Sequence, residues 1–262
     1  MPTSLHASPV FGPVRSRRLG LSLGINLLPG DGKVCNFNCI YCECGLNEER
    51  RPHTPLPTKE AVLEALQREL EKLQQAGDTL NVMTFAGNGE PTLHPKFSEI
   101  VQEVAKLRDR WAPQAQIAVL TNGTTILREE TYLALQQIEQ PIVKLDTVNL
   151  PFILRTNQPT GHYDVTALAK RMAEFQRETG RLIIQTIFLQ GVLNDGTPVS
   201  NLSEEHIRPW LDVVKTIQPK QVMIYTIDRE TPLPGLRKAT KEQLDAILQR
   251  LLQEQIPTTV AY

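Results

Sequence analysis

Cys35, Cys39 and Cys42 fall within one short run, Cys35-Asn36-Phe37-Asn38-Cys39-Ile40-Tyr41-Cys42. A C-x-x-x-C-x-x-C spacing of thiols can hold one soft metal centre, and an iron–sulfur cube is ordinarily completed by four thiolates. Three thiolates leave one iron with an open coordination position, which in metal sites goes with catalysis rather than with structure. The same residues admit plainer chemistry: a zinc ion completed by Cys44 or His53, disulfides, or reactive thiols. All four cysteines lie between positions 35 and 44. That crowding suits a metal site and not a disulfide framework, which ties distant segments together.

With the aromatic Tyr41 just before the last cysteine, the spacing resembles the signature of the radical S-adenosylmethionine (SAM) superfamily. The resemblance implies a [4Fe–4S] cluster on Cys35, Cys39 and Cys42, its free iron chelated by the amino and carboxylate groups of SAM. It implies reductive cleavage of SAM to a 5′-deoxyadenosyl radical that abstracts hydrogen from a substrate, the protein supplying placement, orientation and shielding. An external electron donor of flavodoxin or ferredoxin type is implied as well.

Other segments fit the same pattern. Gly87-Asn88-Gly89-Glu90-Pro91-Thr92 is a glycine turn that permits close backbone approach to a ligand. It resembles the superfamily's glycine–glutamate segment, which binds the SAM amino group, with Asn88 where that segment has a glycine. Thr121-Asn122-Gly123 contains a common turn dipeptide and resembles the segment that lines the SAM pocket. The resemblance also places Tyr41, Gln185, Thr186 and Ile227 at the cofactor, Gln185 and Thr186 toward the ribose or carboxylate and Ile227 against the adenine. Lys144 and Asp146 share one face of a strand by alternation. They are either a structural ion pair or groups that point into the pocket. Tyr225, Thr226, Asp228 and Arg229 are further strand-end polar residues.

The N-terminal run from Phe11 to Gly20, followed by Ser22-Leu23-Gly24-Ile25-Asn26, looks like the wyosine-synthase-related subgroup. The resemblance extends from about Phe11 to Glu230. Members of that subgroup that act on tRNA carry further N-terminal cysteines for a second cluster, and this chain has no cysteine before Cys35. A SAM-dependent radical enzyme acting on an unidentified substrate is therefore the first reading. A tRNA- or nucleotide-modifying enzyme is the alternative, disfavoured on that ground. A non-catalytic metal-binding protein on a degenerate barrel is the contrasting class, and the intact motifs argue against it.

These residues need a scaffold that gathers strand ends. Apolar β-rich runs at 80–86, 116–120, 141–148, 182–189 and 221–227, with a weaker one at 21–28, alternate with amphipathic helical runs. The helical runs cover 59–76, 96–110, 129–139, 165–179, 204–217 and 241–253. Such alternation implies parallel βαβ units, in which ligands collect at the C-terminal ends of strands. Periodicity alone gives an α/β class; the resemblance narrows it to a partial (β/α)6 barrel. We expect a single domain over 1–262, with its core at about 20–230, an N-terminal extension over 1–19 and a C-terminal helix over 240–254. Segments 49–57 and 194–202 read as surface loops.

Forty per cent of residues are hydrophobic, enough for a sizeable core, and the formal net charge of −1 offers nucleic acid no global attraction. Local attraction could still come from Arg15, Arg17 and Arg18, or from Lys33, Arg50 and Arg51 near the cysteines. No apolar run is long enough for a membrane span and no signal peptide is visible at the N-terminus. Both features lead to the expectation of a cytoplasmic protein.

Overall fold

The computed structural model describes residues 4–16 and 20–262. Its main element is an eight-stranded sheet curled into a half-barrel, in the order β1-β2-β3-β4-β5-β6-β9-β11. The strands are β1 (Val10–Ser16), β2 (Gly20–Ile25), β3 (Val82–Phe85), β4 (Gln116–Thr121), β5 (Gln140–Lys144), β6 (Ile183–Ile187), β9 (Gln221–Tyr225) and β11 (Thr258–Ala261). All pair in parallel except β1, which runs antiparallel to β2. The helices between them are α1 (Lys59–Ala76), α2 (Phe97–Trp111), α3 (Glu129–Leu135), α4 (Leu150–Thr156), α5 (Val165–Thr179), α6 (Glu204–Ile217) and α7 (Lys241–Gln253). A small antiparallel sheet joins β10 (Leu236–Lys238), β7 (Leu189–Val192) and β8 (Pro198–Ser200).

The α/β expectation and its six parallel strands are met, and two more strands extend the sheet at its edges. Strand β1 hides in the sequence because Gly12 and Pro13 interrupt it and its pairing shifts register between Phe11 and Val14. The segment read as a loop over 194–202 contains β8. Strand β5 ends at Lys144, so Asp146 lies in the turn beyond it rather than on the strand. Helix starts follow local chemistry: Ala61 N donates to Thr58 Oγ1 at 3.2 Å, and Thr240 with Gln243 forms a capping box on α7.

Two-residue alternation divides the sheet into two faces. Met83 and Phe85, Ile117 and Val119, Val143, Ile184, Val222 and Ile224 point outward into the core beneath the helices. Trp210 of α6 completes that layer, stacking edge-on against Phe188 and donating from its indole to Leu145 O at 2.9 Å. Val82, Ala118, Ile142, Ile183 and Met223 point the other way and form a small inner cluster. Toward the strand ends that inner face turns polar, through Lys144, Gln185 and Tyr225. Among the described residues no helix is long and apolar enough to cross a membrane.

Candidate active site

The loop between β2 and α1 carries the cysteines and folds back over the sheet's C-terminal edge. It is stitched to the glycine turn after β3: Val34 N donates to Asn88 O at 2.9 Å, and Glu90 N donates to Val34 O at 3.0 Å. That bridge requires a glycine at position 89. Its φ is +132°, and a Cβ there would lie 1.9 Å from Val34 O.

Beneath this loop is a cavity of about 310 Å³. Its wall brings together Cys35, Cys39 and Cys42 with Tyr41, Gly87, Gly89 and Glu90. Thr121, Asn122, Lys144, Gln185, Tyr225, Thr226, Ile227 and Asp228 also line the wall, all drawn with the glycine turn from five strand ends. Asn88 and Asp146 stand behind it. Asn88 is fully buried and its amide is spent on backbone, accepting from His6 N (2.7 Å) and donating to His6 O (2.9 Å) and Pro29 O (2.8 Å).

Asp146 is enclosed by protein donors. Tyr41 Oη and Lys144 Nζ (3.2 Å) donate to Oδ2, as does Asn157 Nδ2 (3.0 Å), and Ile187 N donates to Oδ1 at 3.1 Å. The Lys144 ammonium also lies 5.1 Å above the Tyr41 ring. Burial works against the Lys144 charge, but Asp146, Tyr225 and Cys39 outweigh it and hold the ammonium above the ordinary lysine value. Burial and then Asp146 raise the Tyr41 phenol, which stays a neutral donor. The network fixes the cysteine loop to the end of β5.

Glu90 is buried among four donors. Oε1 accepts from Thr92 N (3.1 Å), Thr92 Oγ1 (2.5 Å) and Thr121 Oγ1 (2.7 Å), and Oε2 accepts from Asn122 N (2.6 Å). Burial pushes its carboxyl above the usual range, while these donors pull it back. Oε2, with one donor, retains room to accept another.

All four cysteines are free thiols. Burial pushes Cys35 up to about 12 and raises Cys39 as well. Amide donors face both sulfurs: Phe37 N lies 3.4 Å and Asn122 Nδ2 3.9 Å from Cys35 Sγ, and Asn157 Nδ2 lies 3.6 Å from Cys39 Sγ. Cys42 is lowered by its hydrogen bond with Cys44 and by Lys33, and that same hydrogen bond raises Cys44, whose sulfur lies 3.4 Å from Gly87 O. Lys33 is buried beside them, its ammonium donating to Gly45 O at 2.8 Å.

Among the described residues no three His, Cys, Asp or Glu side chains converge on a single ion position. His53 is exposed and off the cavity wall. Three free thiols on one short loop, with N–H donors facing two of the sulfurs, have the donor chemistry that an iron–sulfur cluster needs. Lys33, Asn157 and His6 belong to the site and were not singled out by motif. Asn157 lies 118 residues from Cys39 in sequence, and an Asn-Gln-Pro run signals only a turn.

The family model describing the radical SAM superfamily matches residues 31–195, the stretch that contains the cysteine loop and both glycine turns. The chain belongs to the radical SAM superfamily. A UPF0026 protein of Helicobacter pylori is 30% identical over 240 residues, covering 91% of this chain and 71% of that protein. One from Synechocystis is 33% identical over 233 residues, covering 86% of this chain and 77% of that protein. A Brachyspira hyodysenteriae protein named GTPase Obg is 29% identical over 93% of this chain, which spans only 33% of its length. Among solved structures, a radical SAM methyltransferase from Sphaerobacter thermophilus superposes with a TM-score of 0.67 at 18% identity, covering 92% of this chain and 66% of that one. TYW1 with a lysine–pyruvate adduct superposes with a TM-score of 0.58 at 14% identity, covering 88% and 73%. These two likenesses are of fold.

Proposed function

We propose that this protein is a SAM-dependent radical enzyme holding one [4Fe–4S] cluster on Cys35, Cys39 and Cys42 and acting on a substrate still to be identified. One observation carries the reading: three free thiols share a cavity with a glycine–glutamate turn and a row of strand-end polar groups. Bound there, the reduced cluster and SAM supply one electron and a 5′-deoxyadenosyl radical able to take a hydrogen atom from substrate.

The chain's own residues hold and aim these groups. The thiols of Cys35 and Cys39, raised by burial, would hold iron as thiolates, giving up their protons to do so. The amides of Phe37, Asn122 and Asn157 point N–H groups at the sulfurs, which favours the charged, metal-bound form. Lys33 on one side and Lys144 on the other offset the added negative charge. Glu90 offers Oε2 to an ammonium group, Gln185 a polar edge, and Ile227 an apolar surface. Tyr41, locked to Asp146, orients the loop. Electrons come from an external donor of flavodoxin or ferredoxin type.

Anaerobic reconstitution with iron and sulfide tests this. The wild-type protein should turn brown and hold iron and sulfide in equal amounts, to one [4Fe–4S] cluster per chain. Alanine at Cys35, Cys39 or Cys42 should abolish reductive SAM cleavage, whereas Cys44→Ala should keep the cluster. A colourless zinc protein, or full cluster content and cleavage in Cys39→Ala, sinks the assignment.

A further inference from the structure

Inside the sheet, below the cysteine-lined cavity, is a second cavity of about 170 Å³. The two adjoin, sharing Ala86, Leu120 and His6 on their walls. The lower wall has a different character from the upper. Leu120, Ile142 and Met223 face it from β4, β5 and β9, and Phe11 and Val14 close it from β1. A Cβ on Gly24 would meet the Phe11 ring at 2.2 Å, so this glycine is what lets the ring lie on the sheet. The only hydroxyls, on Ser22 and Thr84, are hydrogen-bonded to each other at 2.9 Å.

Among the described residues His6 is the one ionisable side chain on that wall. Its backbone is clamped on both sides by the Asn88 amide, and its ring stacks on Phe11 with centroids 4.3 Å apart. Within the described residues its ring nitrogens have no hydrogen-bond partner. Burial and then Arg229 keep it below the ordinary histidine value, so at neutral pH it offers one donor and one acceptor. His6, Phe11 and Val14 all precede the stretch that matches the superfamily model, residues 31–195.

We propose that this lumen is the substrate site, that it takes a neutral apolar or aromatic part of the substrate, and that His6 hydrogen-bonds a polar atom at the upper edge of that part. The proposal rests on the function proposed above and names the class of substrate for the same site. Among the described residues the lower wall itself carries no positive side chain, so a phosphate or carboxylate placed here would lose its hydration without a charged partner on that wall. An apolar group gains by burial and needs only one placed polar contact for orientation. The N-terminal segment, rather than the shared cofactor motifs, is then what sets specificity.

Fluorine NMR on the reconstituted full-length protein tests this with three probes: 4-fluorophenol, fluorobenzene and 4-fluorobenzoate. We expect 4-fluorophenol to bind roughly 2- to 12-fold tighter than fluorobenzene, the range of one net hydrogen bond. The benzoate should bind at least about tenfold more weakly than the phenol. Met223→Trp and, separately, Ile142→Phe fill the lumen and should lose the binding of 4-fluorophenol while SAM still binds. His6→Phe keeps the ring stack and both backbone hydrogen bonds, and should lose only the preference for the phenol. No binding of 4-fluorophenol to wild type, benzoate binding as tightly as phenol, a preference that survives His6→Phe, or full binding in both filled variants overturns the proposal. Calorimetry with SAM on the wild type is read separately. Its failure contradicts the proposed cofactor, while the fluorine spectra, taken with and without SAM, still decide the lumen.

Discussion

At the scale of the residue, Glu90 concentrates the electrostatics of the site. Its carboxylate is surrounded by hydroxyl and amide donors that are fixed before any ligand arrives. An ammonium placed on Oε2 adds a charge-assisted hydrogen bond. Glu90→Ala should weaken SAM binding by roughly 1.5–3 kcal/mol, measured by calorimetry; unchanged affinity would refute the contact. The same residue predicts a pH dependence of stability. Burial holds its folded pKa above the ordinary glutamate value. As pH rises from the ordinary glutamate range toward the raised value, the unfolded chain releases the proton while the folded chain keeps it. Stability contributed by this group is thus full below that window, falls through it, and is flat above. Urea unfolding across pH should show this slope in wild type and lose it in Glu90→Gln. An identical slope in both would assign it to other groups.

At the scale of the element, the cysteine loop and the glycine turn form one unit through the Val34–Gly89 bridge. Gly89→Ala forces a Cβ against Val34 O at a backbone angle that costs about 1–3 kcal/mol for a non-glycine residue. We expect at least that loss in urea unfolding, together with lower iron content after reconstitution. Unaltered stability would mean that the bridge does not hold the loop. How far such elements can be read from sequence depends on their physical origin. The helices α1, α5, α6 and α7 carry a 3.6-residue apolar period and clear stops such as Gly77 and Gly180, so their bounds are legible. The parallel strands are short apolar runs between those helices, legible for the same reason. Strand β1 contains a glycine and a proline, and β11 is four residues long, so neither carries a period. The motif residues of the site are local in sequence and visible. Lys33 is adjacent to the cysteines in sequence, but its burial is not legible there; Asn157 and His6 join the site only through the fold, and the burial that gives them meaning is not encoded in any short run.

At the scale of the whole molecule, charge bears on the choice of substrate. The formal net charge is −1, and a protein that neutralises several phosphates loses affinity steeply with salt, about 0.9 log units per phosphate on duplex nucleic acid for each decade of salt. Arg15 is exposed, whereas Arg17 and Arg18 lie outside the described residues. We expect weak binding of bulk tRNA in moderate salt by filter titration. Submicromolar binding of one tRNA over others, lost when Arg17 and Arg18 become alanine, would instead favour the tRNA-modifying alternative.

Three thiolates and a strand-end pocket are proposed together to drive reductive cleavage of SAM. The most direct measurement is 5′-deoxyadenosine formed from SAM by the anaerobically reconstituted, dithionite-reduced protein, quantified by mass spectrometry beside Cys39→Ala. The wild type should form product, dependent on reductant, and the variant none above background. Absence of product from a wild-type protein with full cluster content, or equal product from both proteins, would contradict that proposal.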